Sequence, residues 1–126
     1  MTDSAIAHSL GVMDAHIEAL NARDARALAA TLHFPHHRLS GTAWTTWETP
    51  EHYFDEFLAR AGSGWARSAA GDIKVVDASE NKVHLDVEIR RFDERDALLT
   101  RFRSLWVIVE IDGVWAAKVR SSFAPA

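Results

Sequence analysis

From Trp65 to the last residues of the chain, apolar and polar side chains alternate with a period of two, and the spacing of the turns fixes how the resulting strands pair. Asp112-Gly113 is a two-residue hairpin signal. It predicts Ile111 opposite Val114, Ile108 opposite Ala117, Trp106 opposite Val119 and Ser104 opposite Ser121. A turn at Asp93-Glu94-Arg95-Asp96 likewise predicts Val87 opposite Phe102, Leu85 opposite Ser104 and Val83 opposite Trp106, with Ala78-Ser79-Glu80-Asn81 as the turn before this strand. A slip of one residue would exchange the two faces, so the registers constrain each other. Together they predict an apolar face of Val83, Leu85, Val87, Ile89, Phe102, Trp106, Ile108, Val119 and Phe123. The opposite face then carries His84, Asp86, Glu88, Arg101, Arg103, Lys118 and Arg120, with Glu88 set against Arg101 and Asp86 against Arg103 as cross-strand ion pairs.

The N-terminal half has helical periodicity instead. Ile6, Leu10, Met13, Ile17 and Leu20 recur at three- and four-residue spacing, forming one stripe of an amphipathic helix that Thr2, Asp3 or Ser4 caps. Asn21 suits a left-handed residue at its end, and Asp24 suits the N-cap of a second helix bearing Ala25, Leu28 and Leu32, which Pro35 stops. His36 to Ser40 and Ala43 to Trp47 read as short strands around Gly41-Thr42. Thr49-Pro50-Glu51 then opens a third helix that buries Phe54, Phe57, Leu58 and Ala61 and ends at Gly62-Ser63-Gly64.

A chain of 126 residues, 48% of them hydrophobic, suffices for one domain over residues 1–126 with its own core. It contains no cysteine, which removes disulfides, thiolate metal sites and thiol nucleophiles together. A net charge of −4 opposes broad contact with a phosphate backbone, so nucleic acid is not expected as a partner. No apolar run approaches the ~20 residues of a membrane span, and the expected setting is the cytoplasm without membrane attachment.

The joint Leu20-Asn21-Ala22-Arg23-Asp24, set between two helices and followed by strands, a third helix and a long sheet, resembles that of the nuclear transport factor 2-like superfamily. The resemblance covers nearly the whole chain. It implies an α+β cone in which a curved antiparallel sheet wraps three helices around a pocket, as in SnoaL-like cyclases and ketosteroid isomerases. Laid on the isomerase pattern, the helix tyrosine falls on His16 and the sheet acid on Trp106, while the proton-shuttling carboxylate falls near Ser40 or Gly41. Both acids of that mechanism are therefore missing. Asp86 and Arg103 are similar to part of the Asp-Arg-Asp set of the superfamily's epoxide hydrolases, but the register turns them away from the helices.

A replacement base is sought among His33, His36 and His37, because imidazole titrates nearest neutrality. If Leu39 points inward, His37 shares its face and His36 and Arg38 point out, making His16 and His37 the candidate acid–base or hydrogen-bonding pair. The bland alternative is two histidines satisfied at the edge of the core. The indole of Trp106, with Ser104 and Ser121 beside it and Phe102 and Phe123 on the same face, forms the candidate ligand-binding wall. Adjacent strand histidines project to opposite sides and no helix offers an i,i+4 pair, so neither a metal nor a cofactor is expected. The functional expectation is a site for a small apolar molecule, acting as a cofactor-independent lyase or isomerase on a hydrophobic carbonyl compound. The alternative is a non-enzymatic association or carrier module whose cone is filled by its own aromatics. A homodimer through the outer face, where His84, Leu105, Val107, Val109 and Arg120 mix apolar and charged groups, is expected in either case.

Overall fold

The computed structural model describes the backbone of residues 2–61 and 64–124. Helices α1 (Thr2–Ala22) and α2 (Ala25–Ala29) precede strands β1 (Leu32–Ser40) and β2 (Ala43–Trp47). Helix α3 (Pro50–Ala61) then leads to β3 (Arg67–Ala78), β4 (Lys82–Phe92), β5 (Leu98–Ile111) and β6 (Val114–Ser122). The strands form one curved, unclosed sheet in the order β2-β1-β6-β5-β4-β3, antiparallel except where β1 runs parallel to β6. Helix α1 lies across it against β3 to β6. This is the expected α+β cone.

Helix α1 ends two residues later than the sequence suggests. Asn21 is still helical, and Arg23 takes the left-handed conformation at φ 53°. The side chain of Asn21 therefore reaches the sheet, where its amide nitrogen donates to Ser68 O (2.8 Å) and its amide oxygen accepts from Ser68 N (2.7 Å). Arg23 adds bonds to the carbonyls of Asn21 (2.7 Å) and Ala66 (2.9 Å), with its guanidinium over the Trp65 ring. Asp24 caps α2 through Ala27 N at 3.0 Å. The Leu-Asn-Ala-Arg-Asp joint thus fastens the end of α1 to the start of β3. The buried stripe of α1 is Ala5, Ser9, Met13, His16, Ala19 and Leu20, rotated from the expected one, so Ile6, Leu10 and Ile17 pack only at its margin.

Helix α3 buries Tyr53 and Phe57, while Phe54 is half-buried and Leu58 is exposed. Tyr53 displaces the expected Leu58 because it packs edge-on against Trp47, at 5.0 Å between ring centroids. The expected burial of the Ala61 side chain and the helix stop at Gly62 and Ser63 fall outside the described residues.

The inner face of β4 and β5 is as expected: Val83, Leu85, Val87, Ile89, Trp106 and Ile108 are buried. The pairing differs by two residues, Val87 with Ser104 and Ile89 with Phe102: the connecting loop Asp93 to Ala97 is one residue longer than expected, and a bulge at Leu99 adds the second; an even shift leaves every side chain on its own face. Ion pairing on the outer face changes accordingly. Arg103 reaches Asp86 diagonally at 2.7 Å and Glu88 holds Arg90 at 2.5 Å.

Strand β6 departs from the expected register in a way that matters. Ile108 pairs with Ala117 but Val107 pairs with Val119, so Lys118 is an extra residue without a partner in β5. Past this bulge the faces exchange. Arg120 and Ser122 turn inward and are buried, while Val119 and Ser121 are only half-buried and Phe123 is 77% exposed.

Removing the Asn21 amide leaves the buried peptide groups of Ser68 without partners, so Asn21→Ala should cost about 2 to 4 kcal/mol in urea denaturation. A loss below about 0.5 kcal/mol, the scale of an ordinary surface substitution, would show that the seam is not holding the helix.

Candidate functional site

The concave side of the sheet, α1 and α3 enclose a chamber. Trp106 and Arg120 form its centre as register partners on β5 and β6, and Arg38 is in turn the register partner of Arg120 on β1. Arg91 lies on the inner face of β4 in line with Val83, Leu85, Val87 and Ile89, and also lines the chamber. His16 enters from α1, Phe57 from α3, and Ile17, Leu20, Ile89 and Phe102 supply apolar wall. The chamber and its mouth enclose about 400 Å3 free of atoms, and about 30 Å3 is open to the centre of a water molecule. One water needs roughly 10 to 15 Å3 on that measure, so the space is small but not filled.

The hydrogen bonds of His16 fix its chemistry. Thr31 Oγ1 has one hydrogen, which it donates to Leu28 O at 2.7 Å, so at 2.9 Å it accepts from His16 Nδ1–H. Nε2 of His16 is then an unprotonated lone pair, buried and without a partner. Burial, reinforced by the charge of Arg120, lowers the pKa of His16 from 6.5 to about 3, keeping the ring neutral. Of the two expected roles, acid or base, the lone pair on Nε2 leaves His16 that of an acceptor. His36 is built alike: Nδ1–H donates to Ala117 O at 3.1 Å, and burial followed by Arg120 lowers its pKa to about 2.

Three guanidinium groups meet here, and alternation had turned two of them, Arg38 and Arg120, outward. Arg120 sits over the rings of Tyr53 (5.1 Å) and Trp106 (5.0 Å), and Arg91 over Phe102 at 4.7 Å. Nε of Arg38, Arg91 and Arg120 and Nε1 of Trp106 are buried with no acceptor. Among the described residues no carboxylate lies within 4.0 Å of any of the three arginines. Burial and the charge of Arg120 lower the pKa of Arg38 to about 10, which leaves it charged at neutral pH. The same two causes lower that of Arg91.

Of the expected site residues, His16, Trp106, Ser104 and Phe102 do meet in this chamber. His37 does not. It lies on the outer face, stacked on Trp44 at 5.5 Å and bonded to Thr46 Oγ1 at 2.9 Å, while His36 and Arg38 point inward. The inward position of Leu39 was the wrong premise, because the inner side of β1 faces a polar chamber end and Leu39 covers the outside opposite Trp44. Ser121 and Phe123 are excluded by the bulge at Lys118; Ser122 takes the expected place, accepting from Ser104 Oγ at 3.2 Å. Asp86 and Arg103 pair outside the cone. His33 bonds Val109 O at 3.0 Å, so the three neighbouring histidines serve three separate environments.

This arrangement of a six-stranded cone over α1 defines a cystatin-like fold. Solved structures of nuclear transport factor 2-like proteins share this fold. A nuclear transport factor 2-like protein of unknown function from Pseudomonas putida superimposes with a TM-score of 0.78 at 13% identity, over 99% of this chain and 89% of that one. A protein of unknown function with a cystatin-like fold from Nostoc punctiforme gives 0.75 at 11% identity, over 94% and 89%. A ketosteroid isomerase-like protein from Erwinia carotovora atroseptica gives 0.67 at 16% identity, over 94% and 96%. Neither a family model nor a curated protein matches the sequence. No helix among the described residues is long and apolar enough to cross a membrane.

The folded pKa values of His16 and His36 lie below the ordinary 6.5, so the unfolded chain binds the extra protons and stability falls as pH drops through 6.5. Each histidine should remove up to about 1.4 kcal/mol per pH unit, about 3 kcal/mol for the pair between pH 6.5 and 5. Denaturant midpoints at pH 7, 6 and 5 measure this slope, and His36→Gln should halve it. An equal slope in that variant would assign the loss to other groups.

Proposed function

We propose that this protein binds a small organic molecule in the chamber, taking an apolar body against Phe57, Phe102 and Ile89 and a carbonyl oxygen toward Trp106 and Arg120. The observation that supports this most is the set of unaccepted donors at the chamber's end. Its side chains offer charged and neutral N–H donors that no group of the protein accepts. Buried donors cost free energy until an acceptor arrives, and the oxygen of a ligand is such an acceptor. The match in shape to a ketosteroid isomerase-like protein is compatible with this reading at the level of fold.

A cofactor-independent isomerase or lyase is the catalytic version of the same proposal. Its supporting observation is the free Nε2 of His16, an acceptor lining the same chamber as three cations that stabilise a developing oxyanion. A base of such low pKa is weak in the empty site, so binding is the primary function and proton transfer a consequence of how the ligand alters the field around His16. The competing reading, a cone filled by its own side chains, is favoured by the small space open to water.

Ligand-detected NMR with acetophenone, a neutral aromatic ketone, tests the proposal. Saturable binding is expected, weakened up to about tenfold by Trp106→Phe through loss of one donor. If acetophenone, its carboxylate counterpart and related aromatics all fail to bind, the filled cone is the better description.

We further propose a second copy of this chain on the outer face, where Leu105 is exposed between the partly exposed, self-complementary charges Arg103 and Asp86. Light scattering should give twice the 14.1 kDa chain mass, and Leu105→Arg should return the monomer. A monomer in the unsubstituted protein would remove this part of the proposal.

A further inference from the structure

The chain has 18 acidic against 14 basic residues, yet among the described residues none of the acids is placed on Arg38, Arg91 or Arg120. Three arginines elsewhere do hold carboxylates: Arg67 with Asp96 at 2.9 Å, Arg90 with Glu88 at 2.5 Å and Arg103 with Asp86 at 2.7 Å. The chamber instead collects buried cations without counter-charge. Two of them, Arg38 and Arg120, are 8% exposed and stand side by side on neighbouring parallel strands, whose spacing is about 4.8 Å. Like charges facing each other in this way destabilise a sheet, and low dielectric around them makes the repulsion larger than at a surface.

We infer that the polar end of the chamber is an anion site, and that its ligand is a small carboxylate on a flat apolar body. The inference rests on the proposed reading of the cone as a small-molecule site and specifies the ligand's charge. Guanidinium forks match the two coplanar oxygens of a carboxylate, and Trp106 Nε1 adds a neutral donor beside them. The aromatic faces under Arg91 and Arg120 hold the forks in place and continue as the wall for a ring. A compact group suits the limited space better than a hydrated phosphate. The anion also cancels the field of Arg120, which is one of the two causes that depress His16; occupancy therefore raises the basicity of the Nε2 lone pair facing no partner.

The binding of benzoate, its neutral isostere benzamide, acetophenone and inorganic phosphate to the full chain, by calorimetry and thermal shift, tests this. Benzoate should bind at least about tenfold tighter than benzamide, as a charge-assisted pair exceeds a neutral one. The His16 resonances should titrate at higher pH in the benzoate complex than in the free protein. Arg120→Gln should lose at least about tenfold in benzoate affinity while its melting temperature stays equal or rises, because relief of repulsion and loss of the anion act in opposite directions. A fall in both would mean that Arg120 is only structural. Arg38→Gln carries the same comparison if the first variant does not fold. Equal affinity for benzoate, benzamide and acetophenone would overturn the anion site and leave the small-molecule reading standing. Protection by phosphate but not benzoate would overturn the carboxylate class. Binding of none of the four would overturn both readings.

Discussion

Lys118, the one residue of β6 with no partner in β5, decides what the inside of this cone contains. Without it, Val119 and Ser121 would face α1 and Arg120 would join the solvated charges of the outer face. With it, a strand that begins in ordinary alternation ends by presenting Arg120 and Ser122 to the interior. The unaccepted Nε of Arg120, the stacking of its guanidinium over Tyr53 and Trp106, and the charge that adds to burial in keeping His16 and His36 neutral all follow from that one insertion. Lys118 itself is held by a bond from Nζ to Pro35 O at 2.8 Å, which ties the bulge to the adjacent strand β1.

The chamber is a place where folding and binding pull in different directions. Apolar contacts from α1, β4 and β5 close the core around it, while the arginines and imidazoles bring polar atoms into the same space without mutual satisfaction. Buried donors with no acceptors and cations with no carboxylate are costly in the empty protein. Such departures from internal consistency concentrate where a fold performs work, and here five of the buried unpartnered groups, on His16, Arg38, Arg91, Trp106 and Arg120, line one cavity.

What was legible in the sequence follows from which rules apply locally. The period of two from Trp65 onward, the Asp112-Gly113 turn and the helical spacing of residues 6–20 were sufficient for the layers, and they placed Val83, Leu85, Trp106 and Ile108 correctly. A two-residue error in the β4–β5 register was harmless because parity survives it. The bulge was not legible, since nothing in Ala117-Lys118-Val119 distinguishes an extra strand residue from a regular one. Nor was the orientation of β1: the rule that places leucine inward assumes an apolar interior, and it failed at Leu39 because that part of the interior is polar. His16 was found through resemblance to known cones and Trp106 through the alternation, whereas Arg38 and Arg120 carry no local signal separating them from the surface arginines, and Arg91 is signalled only by its parity with Ile89.

The seam made by Asn21 with Ser68 has a further consequence for how the cone moves. Leu20 and Ser68 both border the chamber, so stitching their neighbourhood together makes that rim as stiff as a sheet interior. The opposite rim belongs to α3, whose principal neighbours are only the short elements α2 and β2, and which contributes Phe57. A ligand needing more room than the vessel offers would gain it at less cost on the α3 side than at the stitched rim.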